Sequence, residues 1–202
     1  MQYPLTLTFK VVAVAPQITV TDATGASVLY LRQKAFKLKE AVTVYRSEAR
    51  ETPLYTIQAD RVLDFNAVYR IRDGLGNELG ALARRGRRSI WKARYDVLNA
   101  EGRPAYRVQE DNAWVKVLDG ILQQIPLLNL FGGLLFNPTY TVEADDPTTP
   151  EQEGDPVMTL AKQKVFFEGR FELDRIADVP AEDEVLIALA LMMMTLRERA
   201  RG

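Results

Sequence analysis

At 202 residues and 47% apolar content, the chain can bury one substantial core, as one large domain or two small ones. A net charge of −1 gives no global attraction to nucleic acid or membrane, so any such preference must be local. Neither Cys nor His occurs, which excludes disulfides, thiolate and imidazole metal sites and His-containing triads, and leaves acid–base work to carboxylates, Lys or Tyr. No basic segment followed by an apolar block and a cleavage site opens the chain, so a cytoplasmic protein is expected.

In chain order, Leu5, Leu7, Phe9 and Val11 alternate with Thr6, Thr8 and Lys10, the period of a half-buried strand. Pro16 interrupts, Ile18-Thr-Val20 resumes, and Val28-Leu-Tyr-Leu-Arg follows the turn at Asp22-Ala-Thr-Gly25. Ala41–Tyr45 and Leu54–Ile57 form the next pair, then Ala67–Ile71 and Glu78–Leu82 about Asp73-Gly-Leu-Gly76. Ile90–Tyr95 with Val97-Leu98 and Ala105–Val108 flank Asn99-Ala-Glu-Gly102. Turns near residues 24, 49, 74 and 101 recur about every 26 residues. Asp or Asn followed by Gly supplies the backbone freedom of tight turns, and the pattern reads as a meander of antiparallel hairpins.

The period changes after Glu110. Trp114, Val117, Leu118, Ile121, Leu122 and Ile125 fall at helical spacing, with Pro126 as a stop. The apolar stretch 127–136, broken by Gly132-Gly133, has two readings: packing over one end of a barrel, or a loop touching membrane. Tyr140–Val142, Val157–Leu160 and Phe166–Leu173 complete eleven or twelve strands. Between them, 143–156 is acidic and Pro-rich without an apolar anchor, the composition of a mobile loop; EF-hand spacing is absent.

Val185–Leu196 has no Gly, no Pro and no polar face, with Glu182-Asp-Glu184 before it and Arg197, Arg199 and Arg201 after it. Acid at the start and base at the end match the helix macrodipole. The run is short of the roughly 20 apolar residues that span a bilayer. A helix without a polar face must be enclosed, which makes Val185, Leu186, Leu189 and Met193 core positions. The expected fold is mainly β with a central helix: a single domain over 1–202, a closed antiparallel barrel of about 12 strands around that helix.

Tyr30-Leu-Arg-Gln-Lys-Ala-Phe-Lys-Leu-Lys39, Asp60-Arg-Val-Leu-Asp-Phe65, Trp114-Val-Lys-Val-Leu-Asp-Gly120, Phe136-Asn-Pro-Thr-Tyr140 and Phe166-Phe-Glu-Gly-Arg-Phe171 resemble the bacterial LURP-one-related proteins. Those proteins belong to the tubby C-terminal-like group, which also includes the phospholipid scramblases. The resemblance spans about Tyr30 to Arg199 and implies a twelve-stranded barrel threaded by a carboxy-terminal apolar helix. Tubby domains bind phosphoinositides, but no such site aligns here residue by residue. The calcium motif and palmitoylated cysteines of scramblases are also missing, so scrambling is not carried over.

The chemistry in the sequence is one of anion binding. Arg84, Arg85, Arg87 and Arg88 surround Gly86, with Lys92 and Arg94 close behind. Guanidiniums in such density can hold phosphate through bidentate donors, whereas the bland alternative is a solvated turn. Arg32, Lys34, Lys37 and Lys39 form a second basic stretch. No pair of carboxylates, nucleophile elbow or dinucleotide loop stands out, so no enzyme, metal or cofactor is expected. The expectation is a non-enzymatic binding module for anionic lipid or another phosphate-bearing ligand, peripheral to a membrane and not transmembrane, with no nucleic-acid role. The alternative is a protein-interaction or scaffold domain that uses the apolar 127–136 loop.

Overall fold

The computed structural model describes residues 1–10, 15–33, 41–60, 67–84, 94–111, 139–145, 154–163 and 169–199. Alternating apolar residues give twelve strands: β1 (Leu5–Lys10), β2 (Gln17–Thr21), β3 (Ser27–Arg32), β4 (Val42–Tyr45), β5 (Pro53–Ala59) and β6 (Val68–Asp73) come first. They are followed by β7 (Glu78–Arg84), β8 (Arg94–Asn99), β9 (Pro104–Asp111), β10 (Thr139–Ala144), β11 (Pro156–Gln163) and β12 (Gly169–Arg175). Each pairs antiparallel with its neighbours in sequence, and β1 closes the barrel on β12. Closure leaves no strand edge to be satisfied by another chain.

Period 2 sends one set of side chains inward. Leu7 stands opposite Val20 on one side and Phe171 on the other, and Phe9 opposite Ile18; all are buried. The outward set includes Thr6, Thr8, Lys10, Thr19, Arg170 and Glu172. Apolar inside and polar outside is the reverse of a bilayer-spanning barrel, and strands of four to eight residues fall short of the roughly 9–11 such barrels need.

The helix α1 (Ala181–Arg199) fills the interior. Every residue from Leu186 to Leu196 is buried, as the lack of a polar face requires. Thr195, polar among them, donates its hydroxyl to the Leu191 and Met192 carbonyls at 2.8 and 3.0 Å. Gly80 on β7 lets the helix approach the wall. A Cβ there would lie 2.2 Å from the Leu98 carbonyl oxygen and 2.9 Å from Leu186 Cδ2. Among the described residues, no helix is long and apolar enough to cross a membrane.

In an up-and-down barrel, successive connections alternate between ends. The upper end, where α1 begins, holds 22–26, 46–52, 74–77, 100–103, 145–155 and 176–180. The lower end, where α1 finishes, is left and re-entered by 11–16, 33–41, 60–67, 85–93, 112–138 and 164–168. Two tyrosines fix the helix direction: Tyr106 donates to Asp183 Oδ2 at 2.7 Å above, and Tyr95 donates to Glu198 Oε1 below.

The 26-residue spacing has a structural cause. In three upper turns the backbone N–H of the fourth residue donates to the carbonyl of the first: Gly25 to Asp22, Gly76 to Asp73 and Gly102 to Asn99, at 2.8, 3.1 and 2.9 Å. All three glycines have positive φ. Arg50 repeats the geometry, donating to Ser47 at 3.2 Å with φ 55°. One period is two strands and the two connections that join them.

The expected acidic loop is shorter than its composition suggested. Glu143 and Ala144 belong to β10, and Pro156 opens β11. Glu143 points outward and is 2% exposed, accepting a hydrogen bond from Gln109 Nε2 at 2.6 Å. A charged residue reads as loop in sequence, but a hydrogen bond makes it compatible with a buried strand position. Residues 146–153 lie outside the described residues, as do the helical pattern at 114–125 and the apolar stretch 127–136.

Candidate anion-binding rim

Strand termini determine which side chains meet at the lower end. Arg32 closes β3, Arg84 closes β7 and Arg94 opens β8. Lys162 is next to last in β11, and Arg170 is second in β12. Arg32, Arg94, Lys162 and Arg170 are exposed and Arg84 is half-buried. Among the described residues none of these five is paired with a carboxylate. Lys10, which also ends its strand here, is engaged by Glu48 at 3.1 Å.

Arg84 and Arg94 do not share a face. Arg84 stands opposite Tyr95 and so has the inward parity of Leu82 and Val97, whereas Arg94 is one residue out of phase and lies on the outer wall. They mark the rim from its two sides at the mouth of the β7–β8 connection. Arg85, Arg87, Arg88 and Lys92, the rest of the expected patch, lie outside the described residues, as do Lys34, Lys37 and Lys39. The structure thus brings Arg32 to the same end as Arg84 and Arg94 and adds Lys162 and Arg170. In sequence these last two look like ordinary solvent-facing strand residues. Only closure of the sheet and the alternation of its ends gather them.

Among the described residues, the connections at the upper end carry seven Asp or Glu against three Lys or Arg, while the lower end also holds the acids Asp60, Glu110 and Glu198. At the upper end, Glu184 is buried and paired with Arg175, whose guanidinium lies 5.4 Å from the centre of the Tyr3 ring. Burial first, and the Glu184 charge second, push the Tyr3 phenol well up. Asp22 and Asp73 accept hydrogen bonds within their turns, from Thr24 and Asn77 above all, and their carboxyls are held below the usual range. At the lower end, Arg197 lies 5.6 Å from the centre of the Tyr69 ring. Tyr140 is pushed up to about 12, mainly by burial and then by the charges of Glu110 and Glu198.

Guanidinium and ammonium groups supply donors and charge at neutral pH. Among the described residues, no group of three or more carboxylates is placed to hold a metal ion. Val185, Leu186, Leu189 and Met193, expected in the core, are where the sequence put them, with Leu186, Leu189 and Met193 buried and Val185 packed at the margin.

The described residues form a helix-filled antiparallel barrel with Arg32, Arg84, Arg94, Lys162 and Arg170 at one end. No family model, curated protein or solved structure matches the chain.

Proposed function

We propose that this protein is a non-enzymatic binding module, related to the LURP-one-related group, that recognises anionic lipid or another phosphate-bearing ligand at the lower rim. The observation that carries this reading is that Arg32, Arg84, Arg94, Lys162 and Arg170, from five strands, all stand at one end of the barrel and none is paired with a carboxylate among the described residues. Basic side chains left unpaired at one end favour an anionic partner. Arg85, Arg87, Arg88 and Lys92 belong by sequence to the connection that leaves and re-enters this rim. The interaction-domain alternative, through 127–136, rests on residues outside the described ones. The proposed setting is the cytoplasmic face of a membrane, with peripheral attachment.

The experiment is flotation with vesicles of phosphatidylcholine alone or with phosphatidylserine added, at low and at physiological salt. The reading expects binding only to the anionic vesicles, weakening as salt rises. Single-stranded DNA and inorganic phosphate, added as competitors, separate a lipid surface from phosphate in general. Indifference to anionic vesicles at low salt, together with no binding of either phosphate competitor, overturns the reading.

A further inference from the structure

We infer that the connection 46–52 is a strap drawn across the outer wall of β1–β3, latched by the Lys10–Glu48 ion pair and sealing Tyr30 against solvent. Leu29 and Leu31 face the core with Val20 and Ile18, so Tyr30 between them points outward, beside Thr19 of β2 and Tyr45 of β4. An outward residue of a closed barrel meets water unless something covers it. Tyr30 is 1% exposed and stands apart from the core cluster. On the same face, diagonal to it on β2, the side-chain oxygen of Gln17 is also shut off from solvent.

One bridge crosses this face. Lys10 Nζ donates to both carboxylate oxygens of Glu48, at 3.2 and 3.1 Å. Lys10 ends β1, whereas Glu48 follows the end of β4. The two strands lie three places apart in the sheet, about 14 Å at roughly 4.8 Å for each place. The bridge therefore passes over the outer faces of β2 and β3, where Thr19 and Tyr30 stand. Register makes the reach possible: Tyr45 is level with Tyr30, Thr19 and Thr8, so β4 ends only two residues along from Lys10. In this way a residue of an upper connection meets one at the lower end of its strand. A second tether holds the start of the strap, where Ser27 Oγ donates to the Arg46 carbonyl at 2.9 Å. The latch itself is weak. Both of its side chains are exposed, and an exposed ion pair contributes little to stability. The strap can thus open without disturbing the core, as a device sensitive to salt and to the charge at two positions. It does not depend on what the rim binds.

The experiment is nitration of tyrosines by tetranitromethane, followed peptide by peptide with mass spectrometry. It compares the parent, Lys10→Gln, Glu48→Gln and the swapped pair Lys10→Glu with Glu48→Lys. Tyr106, buried within the barrel and hydrogen-bonded to Asp183, is the control. Tyr30 is expected to react slowly in the parent, about two- to fivefold faster in either single variant, and at the parent rate again in the swapped pair. Tyr106 and the melting temperature should not move. In 1 M salt, where the Debye length is about 3 Å, the parent should shift toward the single variants. The strap is overturned if Tyr30 reacts at one rate in the parent and both single variants, or if Tyr106 accelerates as much as Tyr30. Faster nitration that the swapped pair fails to reverse overturns the latch as well.

Discussion

Arg50 occupies the fourth copy of a turn whose other three copies use glycine at the same place: Gly25, Gly76 and Gly102. A side chain at φ 55° is strained by its Cβ, by an amount on the order of 1 kcal/mol, while glycine adopts the conformation freely. Arg50 is exposed, and among the described residues its side chain makes no hydrogen bond or ion pair that its loss would break, so Arg50→Gly is expected to raise the melting temperature by about 1–4 °C. A lower melting temperature would show that the side chain contributes more than the strain costs. Asp174 offers a test with pH. Burial raises its carboxyl above the usual value, so the folded protein holds that proton more tightly than the unfolded chain does. The associated stability is fully present below the ordinary Asp range and is lost as pH rises through the folded value. Asp174→Asn is expected to raise the melting temperature at pH 7 and to lose that advantage near pH 3. An advantage that persists at low pH would contradict the desolvation account.

At the level of elements, α1 was the most legible part of the sequence. Eleven consecutive buried residues, Leu186 to Leu196, correspond to a run with no polar face, and a run of that kind admits few arrangements in water. The strands were legible from their alternation, with boundaries a few residues off where a terminal residue is charged, as at Arg84 and Glu143. The hairpin turns were legible because Asp22, Asp73 and Asn99 each precede a glycine by three residues. The rim was only half legible. Arg84 and Arg94 stand out as neighbours in sequence, but Lys162 and Arg170 join them through closure of the sheet, which no local pattern encodes. Nor does spacing show that Arg84 and Arg94 fall on opposite faces, since that depends on the register of Arg84 with Tyr95. Enclosure of the helix has its own test. Leu189 is fully buried, so Leu189→Asp places a carboxylate where nothing solvates it and costs roughly 3–5 kcal/mol or more. Loss of cooperative unfolding, followed by circular dichroism, is the expected outcome. Melting within a few degrees of the parent would mean that the helix is not enclosed.

For the whole molecule, the barrel separates two properties that the composition averages away. Its interior is an apolar helix in an apolar lining, which carries the stability. One end holds Arg32, Arg84, Arg94, Lys162 and Arg170 without a carboxylate paired to them among the described residues, which net charge conceals. Binding is therefore expected to depend on where a charge is placed more than on how many there are. Two variants of equal size test this most directly. In one, Arg32, Arg84, Arg94 and Arg170 at the lower rim are changed to Gln; in the other, Glu51, Glu101, Asp155 and Glu182 at the upper end are changed to their amides. The measurement is the affinity of each for phosphatidylserine vesicles at low salt, with melting temperatures recorded alongside. Each basic residue near such a surface contributes about 1 kcal/mol, so the lower-rim variant should bind up to about a thousandfold more weakly. The upper-end variant should bind nearly as the parent does, because its changes fall outside the rim that the reading assigns to the ligand. Equal and opposite effects of the two variants, or an unchanged affinity in the first, would contradict the account.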